Sequence, residues 1–126
     1  RSYMTTDAKT VVDFQGAPLN EFQCHLDADR TIDSNPLHTI QSFFVNPEGN
    51  LTGGVWESTP GKWEAFTVRD EFCYLIEGHV VLTNKDGHAQ TFKTGDAFLI
   101  PNGFEGTWEV VETTKKHYVI LSYDAA

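Results

Sequence analysis

The chain has 126 residues, of which 40% are hydrophobic and 21% charged, with a formal net charge of −9. This length makes one domain that needs no disulfide or metal staple, and 16 aromatic side chains (9 Phe, 4 Tyr, 3 Trp) exclude disorder along the whole chain. The acidic balance excludes nucleic acid and membrane surfaces as partners, because the nine basic residues form no stripe and only Lys115 and Lys116 adjoin.

From the N-terminus, RSYMTTDAKT lacks the apolar stretch of a signal peptide, and no later run approaches the roughly 18 apolar residues of a membrane span. A cytoplasmic protein is expected, with Arg1 to Tyr3, which precede Met4, read as an expression remnant. Residues 1–44 are punctuated by Pro18 and Pro36, are rich in Asp and show no long amphipathic period. They read as an arm and a lead-in strand. Thr31 to Leu37 (TIDSNPL) clusters turn formers, and the proline disfavours helix at the residue before it.

From Ile40 the character changes. IQSFFV, GGVWES, KWEAFTV, EFCYLIEG, HVVLTN, AQTFK, DAFLIP, TWEVVE and HYVILSY are short β-branched and aromatic runs separated by turn clusters such as Asn-Pro-Glu-Gly and Lys-Asp-Gly. Nine of the ten glycines lie between Gly49 and Gly106, a distribution that suits tight reversals and not helices. In HVVLTN, Val80 and Leu82 share one face and Val81 and Thr83 the other, and the Lys85-Asp86-Gly87 turn leads back into Gln90 to Lys93 as a hairpin. Eight or so strands of this kind predict an all-β sandwich or closed barrel. Cys24 and Cys73, without a secretory signal, are expected to remain thiols.

Gly61, Glu71 and Gly78 stand at the spacing of the first cupin motif, and Gly95-Asp96, Pro101 and Gly103 match the second. Together with GVWES, PGKW, DEFCYLIEG, GDAFLIPNGFEGTWEVVET and KKHYVI, they make the chain resemble the third cupin sequence family, which includes the ethanolamine-utilisation cupin and the ureidoglycine aminohydrolases. The resemblance covers residues 45–122 and implies a cupin jelly roll there, a double-stranded β-barrel with an N-terminal arm and 123–126 as a tail. A metal-binding cupin would carry two histidines two apart, a Glu and a further His. Here the first-motif positions fall on Glu64 and Phe66, or on Ala65 and Thr67 with a shorter turn, and the second-motif histidine falls on Gly106. Only Glu71 survives, and one carboxylate does not hold a transition metal tightly. No cofactor is expected; the alternative is a weak divalent site of Glu71, Glu64 and His117. The family's usual Tyr and acid are replaced by Thr67 and Arg69, which shifts the entrance toward positive charge and toward a carboxylate ligand.

The candidate site residues follow. Glu71 either points into the barrel with a raised pKa, as acid, base or ligand anchor, or caps a turn and pairs with Arg69. Cys73 shares its face, as a buried thiol. Trp56, Trp63 and Trp108 fill the core, with Trp56 and Trp108 as pocket walls and Trp108 facing as the vacated Gly106 position does. Tyr74 faces away. His117, in register with Val119 and Leu121, is either a core histidine or a proton shuttle. His25, His38, His79 and His88 read as surface residues, and Lys62 and Arg69 as rim charges.

No nucleophile elbow, phosphate loop or Cys-x-x-Cys pair is present. Two readings stand. One is metal-independent acid–base chemistry on a small polar metabolite, with Glu71 and His117 catalytic and Glu64 and Phe66 in the pocket. The other is a binding or accessory barrel that holds its ligand without turnover. A homodimer is expected, formed by the arm laid across a partner as an added strand.

Overall fold

A computed structural model describes residues 10–123, and every regular element among them is a strand. There are nine: β1 (Asn20–His25), β2 (Thr31–Asp33), β3 (Leu37–Val45), β4 (Leu51–Ser58), β5 (Gly61–Phe66), β6 (Arg69–Asn84), β7 (Ala89–Lys93), β8 (Ala97–Ile100) and β9 (Glu105–Ser122). All pairings are antiparallel. No helix among the described residues is long and apolar enough to cross a membrane.

The two long strands form the spine. β6 lies along one edge of β9 from Arg69↔Ser122 to Asn84↔Gly106, while the other edge of β9 takes β5 on its first half and β4 on its second. β3 and β1 extend the sheet beyond β4, β2 extends it beyond β5, and β8 and β7 cover the free edge of β6. The sheet therefore folds on itself into two facing halves. The bend lies where the β6–β9 register shifts between Leu75 and Val80. Gly78 makes it possible: its φ is +125°, and a Cβ there would meet Thr114 Cα at 2.6 Å.

Between the halves sit Leu75, Val80, Val110 and the three tryptophans, with Phe92 of β7 stacked on Phe98 of β8 at 4.1 Å. Removing a large aliphatic side chain such as Leu75 from water contributes about 1.5–3 kcal/mol. The 80–93 hairpin forms as expected, with Val80 opposite Phe92 and both Val80 and Leu82 buried. EFCYLIEG and HVVLTN differ from expectation in forming one strand, since Gly78 bends the chain without reversing it.

The lead-in also requires correction. Residues 20–25, 31–33 and 37–45 pair within their own chain as β1, β2 and β3, and Leu26, His38 and Ile40 reach the barrel interior. This part of the lead-in is barrel wall. Arg30 ties it down, donating from Nε and Nη2 to the Glu64 carbonyl at 3.3 and 3.0 Å. Residues 1–9 and 124–126 lie outside the described residues.

Candidate functional site

Alternation on six strands, with Cys24 from β1, aims one set of side chains into a cavity of about 360 Å³. β6 supplies Glu71, with Cys73 buried behind it; β9 supplies Trp108, Lys116 and Tyr118; β4 supplies Trp56, β5 Trp63 and β3 His38. Arg30 and Arg69 complete the charged lining.

At its centre is a buried ion pair. Lys116 Nζ lies 2.8 Å from Glu71 Oε2, with the two side chains 5% and 6% exposed. The ammonium also stands 4.5 Å from the Trp56 ring centroid and 4.4 Å from that of Trp108, so two π-faces and a carboxylate replace its lost water. Register explains the box: Lys116 is opposite Trp56, and Trp63 is opposite Trp108, whose rings stack with an interplanar angle of 5°. Glu71 also accepts from Arg69 Nη2 at 3.4 Å and from the Cys73 thiol at 3.5 Å.

These contacts set the protonation states. Burial opposes ionisation of Glu71, but Lys116, with Arg69 and Cys73, outweighs it and holds the carboxyl below its ordinary value. The raised pKa, one of the two alternatives read for Glu71, is thus corrected by Lys116, a cation to which the sequence reading gave no place in the site, while the alternative contact with Arg69 is present. Burial likewise works against the Lys116 charge, but Cys73 and Glu71 pull its pKa up. Of these two, Glu71 is the anion at neutral pH, because burial pushes the Cys73 thiol up to about 12. Burial and the Glu71 charge together raise the Tyr118 phenol.

His38, read from sequence as a surface residue, is 6% exposed and packs 4.8 Å from the Trp63 ring centroid. Its Nδ1 accepts the Trp56 indole N–H at 3.3 Å. Indole is only a donor, so neutral His38 carries its proton on Nε2. That Nε2 is buried and has no partner. Burial, then the charges of Lys116, His25 and Arg30, lower the His38 pKa to about 4.

The structure brings Glu71, Cys73, Trp56 and Trp108 together and separates them from the other candidates. His117 is on the outer face of β9, where Phe14 packs edge-on at 5.6 Å and Tyr74 lies parallel at 6.3 Å. Val119 and Leu121, which share its face, are exposed; the apolar triplet that suggested an inward His117 is on the outside. Glu64 and Phe66 also point outward, because Trp63 and Ala65 are the inward residues of β5. They line an open outer groove of about 1040 Å³, where every ionisable lining residue is exposed. The alternation Thr114, Lys116, Tyr118 was a signal for the inward lysine, and the unmatched Glu71 a reason to look for one.

The donor set does not fit a cupin metal. No three His, Cys, Asp or Glu side chains come together among the described residues. Ala65 faces inward in β5, where the shorter turn would place a first-motif histidine. At Gly106, the second-motif position, a Cβ would fall 1.9 Å from the Thr83 carbonyl oxygen, so this backbone takes no side chain there. Glu71 Oε2 is instead engaged by the Lys116 ammonium at 2.8 Å.

A model of the EutQ-like cupin domain matches residues 45–118. The chain is a EutQ-like cupin. Among solved structures, this cupin is similar to a DUF861-family protein of unknown function from Pseudomonas syringae pv. tomato, at 26% identity and a TM-score of 0.75. The match covers 86% of this chain and 46% of that one, so the chain spans less than half of that relative's length. A DUF861-family protein from Thermotoga maritima shares 33% identity over 51% of this chain and 73% of its own, with a TM-score of 0.50. The Clostridium difficile EutQ protein supports the fold alone, at 22% identity and a TM-score of 0.62 over 72% of this chain and 66% of its own. No curated protein matches the chain.

Proposed function

We propose that this cupin binds a small polar metabolite inside its barrel without a metal ion, using the Glu71–Lys116 pair as a fixed ionic centre. The observation that carries this reading is the pair itself. An ammonium stands beside the one surviving family carboxylate, in a cavity whose volume falls at the small end of ligand pockets. The same observation favours binding over acid–base turnover at Glu71. A carboxyl held below its ordinary pKa by a buried ammonium is a weak base at neutral pH and is not an acid at all.

Trp56, Trp63 and Trp108 are all the tryptophans of the chain and all line the cavity, so intrinsic fluorescence reads it directly. A library of sugars, amines, nucleosides, amides and organic acids, titrated in the presence of EDTA, should contain compounds that change this fluorescence saturably and raise Tm. Trp108→Ala should abolish the response in a protein that still folds. A library that moves neither observable would sink the proposal.

A further inference from the structure

Resting on that reading, we infer that the ligand is a small organic anion, a carboxylate in the first instance, whose oxygens are received by the Nε2–H of His38 inside the barrel and by the guanidinium of Arg69. Three features of the cavity carry this inference.

The first is charge. Arg30, Arg69 and Lys116 line the cavity with a single carboxylate, Glu71, so the lining has a cationic excess in a chain whose net charge is −9. A concave, low-dielectric wall focuses that field on whatever enters. The second is that Glu71 has little left to offer a cation. Its Oε1 accepts from Arg69, and its Oε2 accepts from Lys116 and from the Cys73 thiol. An amine entering here would meet two guanidinium groups and an ammonium, with the counter-charge already engaged.

The third is a surplus of donors. Trp56 fixes the tautomer of His38, leaving a buried N–H without an acceptor. A buried donor left unsatisfied costs about 1–3 kcal/mol, which a ligand oxygen would recover. Arg69 spends one of its five N–H groups on Glu71, and its side chain is 44% exposed. Arg30 spends two on the Glu64 carbonyl. A carboxylate supplies the charge and the lone pairs that this lining lacks, and planar guanidinium suits it geometrically.

The test is fluorescence titration of the full chain with matched acid and amide pairs, benzoate with benzamide and pyruvate with pyruvamide, at neutral pH and low ionic strength. At least one acid should bind about tenfold or more tightly than its amide, the scale of one hydrogen bond to a charged group. Arg69→Gln should remove most of that preference by weakening the acid more than its amide, and His38→Phe should weaken the acid further. Should His38→Phe fail to fold, Arg69→Gln alone decides, because its side chain is partly exposed and its loss leaves Lys116 on Glu71. Acids and amides that bind alike would overturn the anion inference and leave the binding proposal standing. A response to sugars or amines but to neither member of either pair would do the same, whereas silence across all classes would end both.

Discussion

Lys116 and Glu71, 45 positions apart in sequence, meet at 2.8 Å inside the barrel, and each is the other's main compensation for lost water. Removing one partner of such a pair typically costs about 3–5 kcal/mol, because the remaining charge is buried alone. Here the two losses should differ. Without Lys116, Glu71 keeps a cation, Arg69; without Glu71, Lys116 keeps the Cys73 thiol and the faces of Trp56 and Trp108 but no carboxylate. Denaturant unfolding should therefore find Glu71→Gln more destabilised than Lys116→Met. The double variant should recover most of the loss, and strict additivity of the singles would show the pair to be uncoupled.

Stability should fall with acid from an unusually high pH. The folded pKa of His38 is about 4 against an ordinary 6.5, so the unfolded chain binds more protons between these values and stability rises with pH across that window. The contribution is whole above 6.5 and lost by about pH 4, amounting to no more than about 3 kcal/mol. His117, lowered by burial and by Lys115, acts in the same direction. Glu71 adds a further loss below its own ordinary range, as its depressed folded pKa is approached. Tm measured against pH should show this early decline, and His38→Phe should flatten it between pH 6.5 and 4; an unchanged slope would contradict the assignment.

Rebuilding the family's ligand set should fail at Gly106. A Cβ placed 1.9 Å from the Thr83 carbonyl forces the β6–β9 pairing apart, so Gly106→Ala should cost at least the upper part of the about 1–3 kcal/mol range for overpacking. Gly106→His should be worse and should gain no affinity for Mn, Fe, Ni or Zn by calorimetry. A folded Gly106→His variant that binds one of these ions stoichiometrically would overturn both the steric argument and the role given to Lys116.

The two thiols should separate cleanly. Cys73 is fully buried, and burial pushes its pKa up to about 12, so almost no thiolate forms at neutral pH. Cys24 is half-buried and lines the cavity. A thiol-specific chromogenic reagent should label one cysteine in the folded protein and two in denaturant, with Cys24 identified by peptide mapping. A bound carboxylate should slow that single reaction. Modification of native Cys73 would show that the barrel opens more readily than its packing implies.

Sequence made the outline legible wherever the information was local. The Lys85-Asp86-Gly87 turn with its flanking alternation placed the 80–93 hairpin, and the motif around Glu71 placed that residue and Cys73 on one face. Lys116 was not legible in the same way. A lysine is outward by default, and what buries it is a carboxylate 45 residues earlier together with Trp56 and Trp108, partners that only the closed barrel assembles. His38 was obscured by the turn-forming cluster before it, since Pro36 ends that cluster at the start of β3. Glu64, Phe66 and His117 stand outside the cavity for a simpler reason. Each depends on the phase of its strand, and apolar neighbours such as Val119 and Leu121 stand on the outer face here.

β9 runs for 18 residues and holds Lys116 inside with His117 directly outside. The chemistry of the barrel therefore hangs on parity. Slipping the second half of β9 by one residue would export the ammonium and import an imidazole while retaining the same letters in the same order. Such a barrel would present Glu71 with a histidine instead of a lysine. Insertions and deletions near the bend at Gly78 and Thr114, more than point changes in the cavity, are the mutational route by which a fold of this kind can exchange one interior for another.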